Sequence, residues 1–88
     1  MGASILIADD DPVQRRLLEA MARRFGYAPT LVDGGEAALR ELSQRAYDLL
    51  ILDLVMPDLD GMGVLGRMRE AGCDVPVIVQ TAHGSIET

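Results

Sequence analysis

A parallel α/β fold is what this sequence predicts, on three observations. Short aliphatic runs recur at Ser4–Ala8, Ala28–Val32, Leu49–Leu52 and Val75–Val79, and acids, glycines or prolines punctuate them. The stretches between them space apolar residues by three and four, as an amphipathic helix does. Strict alternation of strand and helix implies right-handed crossovers, and so a parallel sheet with helices on both faces. The same spacing puts a further strand at roughly residue 100.

The first run ends in Asp9-Asp10-Asp11-Pro12. Asp11 suits a helix N-cap, Pro12 the first helical position, and Gln14 the place from which a capping-box side chain reaches back. Val13, Leu17, Leu18, Met21 and Phe25 make the inward stripe of this helix and Gly26 ends it, with Arg15, Arg16, Arg23 and Arg24 on the solvated side. Pro29 marks the second strand as an edge. Asp33-Gly34-Gly35-Glu36 opens the second helix as another capping box, with Ala38, Leu39 and Leu42 inward. Leu49–Leu52 reads as a strand buried on both faces. Pro57 to Gly61 then turns the chain into a third helix, Met62 to Glu70, with Met62, Leu65 and Met68 as its stripe and Gly72 beyond its end. Gln80, Thr81, Ala82 and His83 follow the fourth strand, and Ser85 with Ile86 starts one more helix.

The composition excludes several classes of function. The chain has 88 residues and a net charge of −6, its eight basic residues are all arginine, and they are dispersed. Nucleic-acid binding by this segment is therefore not expected. No apolar stretch approaches the ~18 residues of a membrane span and no leader pattern opens the chain, so a cytoplasmic location is expected. The single cysteine, Cys73, has no partner for an internal disulfide and no histidine near it in sequence.

Parallel strands gather whatever follows them, because ligands of open α/β sheets bind beyond the carboxyl ends of the strands. Strand one delivers Asp9 and Asp10, strand three Asp53, and strand four Thr81. Clustered carboxylates repel, and either a proton or a cation must relieve them. A hard divalent ion with oxygen ligands suits the cluster, and magnesium, which takes one or two carboxylates and keeps several waters, is the expected one. A carboxylate so placed can also act as a nucleophile toward a phosphoryl group, with the hydroxyl of Thr81 as a nearby donor.

ILIADDDP, LLILDLVMPDLDG and VIVQTA, in this order, resemble the receiver domain of two-component response regulators, over the whole chain. That resemblance implies a flavodoxin-like, doubly wound sheet of order 2-1-3-4(-5). It implies a signalling module rather than an enzyme, in which Asp53 accepts a phosphoryl group from a histidine kinase. Asp10, Asp53 and the backbone carbonyl of Val55 would hold magnesium, with Asp9 acting through a coordinated water. Thr81 would be the switch residue, Ala82 would leave room beside it, and His83 and Val55 would flank the site. The partner switched would be an output domain, and TAHGSIET is similar to receivers attached to sigma-54-dependent transcription activators. Receivers also carry a lysine on a fifth strand, and this chain contains no lysine. Residues 1–88 are accordingly expected to be a receiver domain incomplete at its C-terminus. Such a chain should be unstable, or self-associate through the edge of strand four. The alternative is an unswitched interaction or dimerisation module.

Two other motif matches fail on context. Gly61-Met62-Gly63-Val64-Leu65-Gly66 satisfies a dinucleotide fingerprint, but Met56 to Asp60 separate it from the strand it should leave directly. Asp58-Leu59-Asp60-Gly61 fits part of a calcium loop whose first and last ligands would be Met56 and Arg67, which cannot serve. Asp58 and Asp60 are read as turn residues, with Asp60 near a helix N-terminus.

Overall fold

A computed structural model describes residues 2–80. The elements alternate as β1 (Ser4–Ala8), α1 (Pro12–Arg24), β2 (Ala28–Val32), α2 (Gly35–Gln44), β3 (Leu49–Asp53), α3 (Gly61–Glu70) and β4 (Val77–Gln80). The four strands form one parallel sheet in the order β2-β1-β3-β4, so both the fold class and the edge position of β2 are as expected. The expected helix start at Ser85 and Ile86 lies outside the described residues.

Alternation along each strand sends successive side chains to opposite faces of the sheet. On one face Leu6, Ala8, Leu50 and Leu52 pack with Ala38 of α2 and with Val64 and Met68 of α3, and Tyr47 and Met56 close the cluster. On the other, Ile5 and Ile7 pack against Ala22 of α1, with Leu18, Leu31, Leu49 and Ile51 partly buried around them.

The helix ends follow local chemistry. Asp11 caps α1 by accepting from the Val13 N–H at 3.0 Å, with Pro12 in the first turn. Gly26 and Gly72 follow α1 and α3 in the left-handed region, at φ 85° and 71°, where a Cβ would be strained. Asp60 caps α3 through the Gly63 N–H at 2.9 Å.

Several expectations need correction. The stripe on α1 points inward only at Leu18: Val13, Leu17 and Met21 are 73%, 57% and 51% exposed, and Phe25 is exposed too. The helix instead turns Leu18 and Ala22 to the sheet, because it lies over β1 and β2 and leaves its other apolar flank exposed. Gln14 makes no capping-box bond among the described residues, and Arg15 is half-buried rather than on the solvated side. The Asp33–Glu36 capping box does not form either; Gly34 is the N-cap of α2 and no side chain of its own segment caps it. In α3 Met62 is exposed, and Val64 takes the buried place. β4 begins at Val77 and includes Gln80, since Pro76, which lacks an N–H, precedes the strand.

Candidate functional site

The site is assembled by strand register. Ala8 pairs with Leu52 and Asp53 pairs with Gln80, so Asp9, Asp53 and Gln80 leave the sheet side by side at its carboxyl edge. Backbone bonds carry the ladder one step further, from Asp9 N–H to the Val32 carbonyl at 3.2 Å and from Leu54 N–H to the Gln80 carbonyl at 3.0 Å. The chain then loops over residues 54–60, and a Gly61 N–H to Leu54 carbonyl bond of 3.0 Å closes the loop at its base. A side chain at Gly61 would meet the Asp53 carbonyl and Leu54 Cα at 2.8 Å, so only glycine lets α3 start this close to the acidic residue.

Asp9, Asp10 and Asp53 each offer a carboxylate oxygen, and these oxygens lie within 4.8 Å of one another. Asp9 and Asp53 are 1% and 5% exposed, whereas Asp10 is open to solvent. The three line a crevice of ≈ 170 Å³ shared with Asp11, Gln14, Val55 and Gln80. Burial, reinforced by the charges of Asp53 and Asp10, raises the Asp9 carboxyl above the usual aspartate range, while the Asp11 N–H opposes the shift. That N–H donates to Asp9 Oδ1 at 2.9 Å, and the Val55 N–H donates to Asp53 Oδ1 at 3.1 Å.

Asp9, Asp10, Asp53 and Val55 are thus brought together. Thr81, Ala82 and His83 lie outside the described residues. Sequence reasoning missed three neighbours. Gln80 Nε2 donates to Asp9 Oδ2 at 3.1 Å, Arg15 Nη1 donates to the Asp9 carbonyl at 2.9 Å, and Gln14 lines the crevice. A polar residue closing an otherwise aliphatic strand was the available signal for Gln80, while Gln14 and Arg15 were readable only as a cap and a solvated charge.

Asp58 stands elsewhere than expected. Its two carboxylate oxygens accept from the Gly35 and Glu36 N–H groups at 3.1 Å each, so it caps α2 from across the chain. Backbone hydrogen bonds, the largest from Leu59 and then from Glu36 and Gly35, lower its carboxyl below the usual range. The glycine-rich hexapeptide runs inside α3, and the loop separates it from β3, as its rejection as a nucleotide motif required.

A carboxylate cluster with two buried members, and with no basic side chain among the described residues lining its crevice, is chemically suited to a hard cation and to receiving an electrophile that the cation helps to neutralise. The comparisons agree with that chemistry. A family model described as the response regulator receiver domain matches residues 5–88. The transcriptional regulatory protein ZraR of Escherichia coli is 34% identical over 96% of this chain, which spans 19% of the length of that relative. Among solved structures, TrrA of Thermotoga maritima, in complex with Mg(2+)-BeF, superposes with a TM-score of 0.87 at 37% identity, over 96% of this chain and 72% of its own. The receiver domain of a sensor histidine kinase from Pseudomonas aeruginosa, with a magnesium ion coordinated in its active-site cleft, gives 0.88 at 39% identity, over 94% and 70%.

Proposed function

This chain belongs to the response regulator receiver family, and on that premise we propose that its acidic crevice takes magnesium and that Asp53 takes a phosphoryl group from a histidine kinase. The observation that carries the proposal is the convergence of Asp9, Asp10 and Asp53 at the carboxyl edge of the sheet. Three hard oxygen donors, two of them buried and one of these, Asp9, reluctant to ionise, fit a small divalent cation. Asp10, Asp53 and the Val55 carbonyl would hold it, with Asp9 acting through a coordinated water. Magnesium bound there supplies positive charge against the acids and the incoming phosphoryl oxygens. Asp53 presents the accepting carboxylate, and the Val55 N–H holds one of its oxygens in place. Gln80 and the Asp11 N–H keep Asp9 turned into the crevice. Thr81 is assigned the switch role, and an output domain, as in the transcription regulators among the relatives, is the partner switched.

The unswitched interaction module is not favoured, because the acid set is intact. The receiver is a signalling module, and no turnover of a diffusible substrate is assigned to it; a cytoplasmic location accords with this reading. Residues 1–88 are read as a receiver domain incomplete at its C-terminus, a reading supported by the exposed apolar flank of α1 and by the edge position of β4 among the described strands. No described helix is long and apolar enough to cross a membrane.

Incubation with magnesium and acetyl phosphate, followed by mass measurement, tests the proposal. A gain of one phosphoryl group that disappears in Asp53→Asn is the expected result. An unchanged rate of modification in that variant would overturn the assignment.

A further inference from the structure

The loop after β3 is held at its tip by a contact that the receiver reading does not use. Gly34 and Gly35 are both buried, and they form a seat without side chains at the N-terminus of α2. A Cβ on Gly34 would lie 2.9 Å from both Asp58 carboxylate oxygens, and one on Gly35 would overlap the Leu59 carbonyl and come within 2.9 Å of Val64. Into this seat Asp58 places both oxygens, one on the Gly35 N–H and one on the Glu36 N–H, at 3.1 Å each. At the rim Arg67 of α3 reaches Glu36 of α2 at 3.7 Å. α2 has no side-chain cap from its own segment, so its N-terminus depends on this loop.

The other end of the same loop belongs to the crevice. Val55 is three residues before Asp58, and between them Met56 is buried in the core and Pro57 has a fixed φ. The segment that offers the Val55 carbonyl is therefore fastened at its base by the Leu54–Gly61 bond, beneath by Met56 and at its tip by Asp58. We infer that Asp58 is a positioning residue for the metal site: by tethering residues 54–60 to α2 it fixes the Val55 carbonyl, and it makes the N-terminus of α2 follow the occupancy of the crevice. The inference rests on the receiver reading and adds to it a residue and a direction of transmission.

Magnesium titration of the whole chain, followed by amide nitrogen–proton NMR, tests both parts. In the wild type the Gly35 and Glu36 amides should shift with the same midpoint as Val55. Asp58→Ala should raise the magnesium Kd by about tenfold, the lower end for supporting partners of metal ligands, and its Gly35 and Glu36 amides should no longer follow the titration. Asp58→Asn keeps one accepting oxygen and should fall between the two. A residue serving stability alone would lower the unfolding midpoint and leave the Kd of the folded protein unchanged. Still Gly35 and Glu36 amides in a wild type whose Val55 responds, or an unchanged Kd in Asp58→Ala, would overturn this inference alone. A wild type with no response at Asp10, Asp53 or Val55 would overturn the receiver reading and this inference with it.

Discussion

The two faces of the sheet are built from equally aliphatic strands and finished to different degrees. The face under α2 and α3 is closed over β1 and β3, where Leu6, Ala8, Leu50 and Leu52 are all 0% exposed, and opens only at β4, where Val79 is 42% exposed. The face under α1 is closed over β1 and open toward β4, where Ile78 is 53% exposed beside the half-buried Ile51, its partner in register. One helix buries β1 on its face, whereas two helices bury both β1 and β3 on theirs. The apolar flank of α1, Val13, Leu17 and Met21, is exposed as well. Sequence hydrophobicity therefore shows that a surface needs cover without showing what covers it.

The neighbours Leu50 and Ile51 give the largest contrast. Leu50→Ala should cost about 3–4 kcal/mol, as large-to-small changes in closed cores do. Ile51→Ala, on the open face, should cost roughly half as much, because part of that side chain remains in water. Urea unfolding of the two variants measures both, and equal losses would show that the faces are equally closed in solution. Next in size is self-association through the open side. Ile78→Lys should lower the sedimentation coefficient of the chain at high concentration by placing a charge on the β4 edge, and a wild type that is already monomeric would show the open face to be tolerated.

A smaller effect is expected where the two faces meet, at Asp9. Its folded-state pKa is raised, first by burial, so between the unfolded value of about 3.9 and the raised value the native state holds more protons than the unfolded chain. Metal-free stability should accordingly fall as pH rises through that window and then level off. Asp9→Asn should flatten the profile and leave the metal-free protein no less stable than wild type at neutral pH, as measured by urea midpoints in a chelator across pH. A wild-type profile that rises through the window would contradict the shift. The smallest effect is expected for Leu17→Ser, within about 0.5 kcal/mol of wild type, as for a surface substitution.

The strands and the acids beyond them were legible in the sequence, because aliphatic runs ending in aspartate, glycine or proline carry a local signal, while the order of the strands followed only from the family resemblance. Asp11 was legible as a cap for the same reason, since it bonds an amide two residues away, and Asp60, which bonds one three residues away, was legible only as a turn residue near a helix N-terminus. The buried side of α1 was not legible. Leu17 and Leu18 are adjacent and equally apolar, and only the placement of the helix over β1 and β2 decides that Leu18 turns inward. The capping box at Asp33 failed because the loop from Pro57 to Leu59 occupies the space, and its Asp58 outcompetes the local pattern. No period in the sequence reveals a contact between Gly35 and Asp58, and none reveals that Gln80 bends back to Asp9.

The trans cap on α2 also sets an order of assembly. Gly35 and its acceptor are 23 residues apart, with all of β3 between them. While the chain is being made, α2 leaves the ribosome before the carboxylate that completes it exists, and its first turn stays frayed until β3 has entered the sheet. Loss of Asp58 should therefore act late on the folding path, quickening unfolding far more than it slows folding.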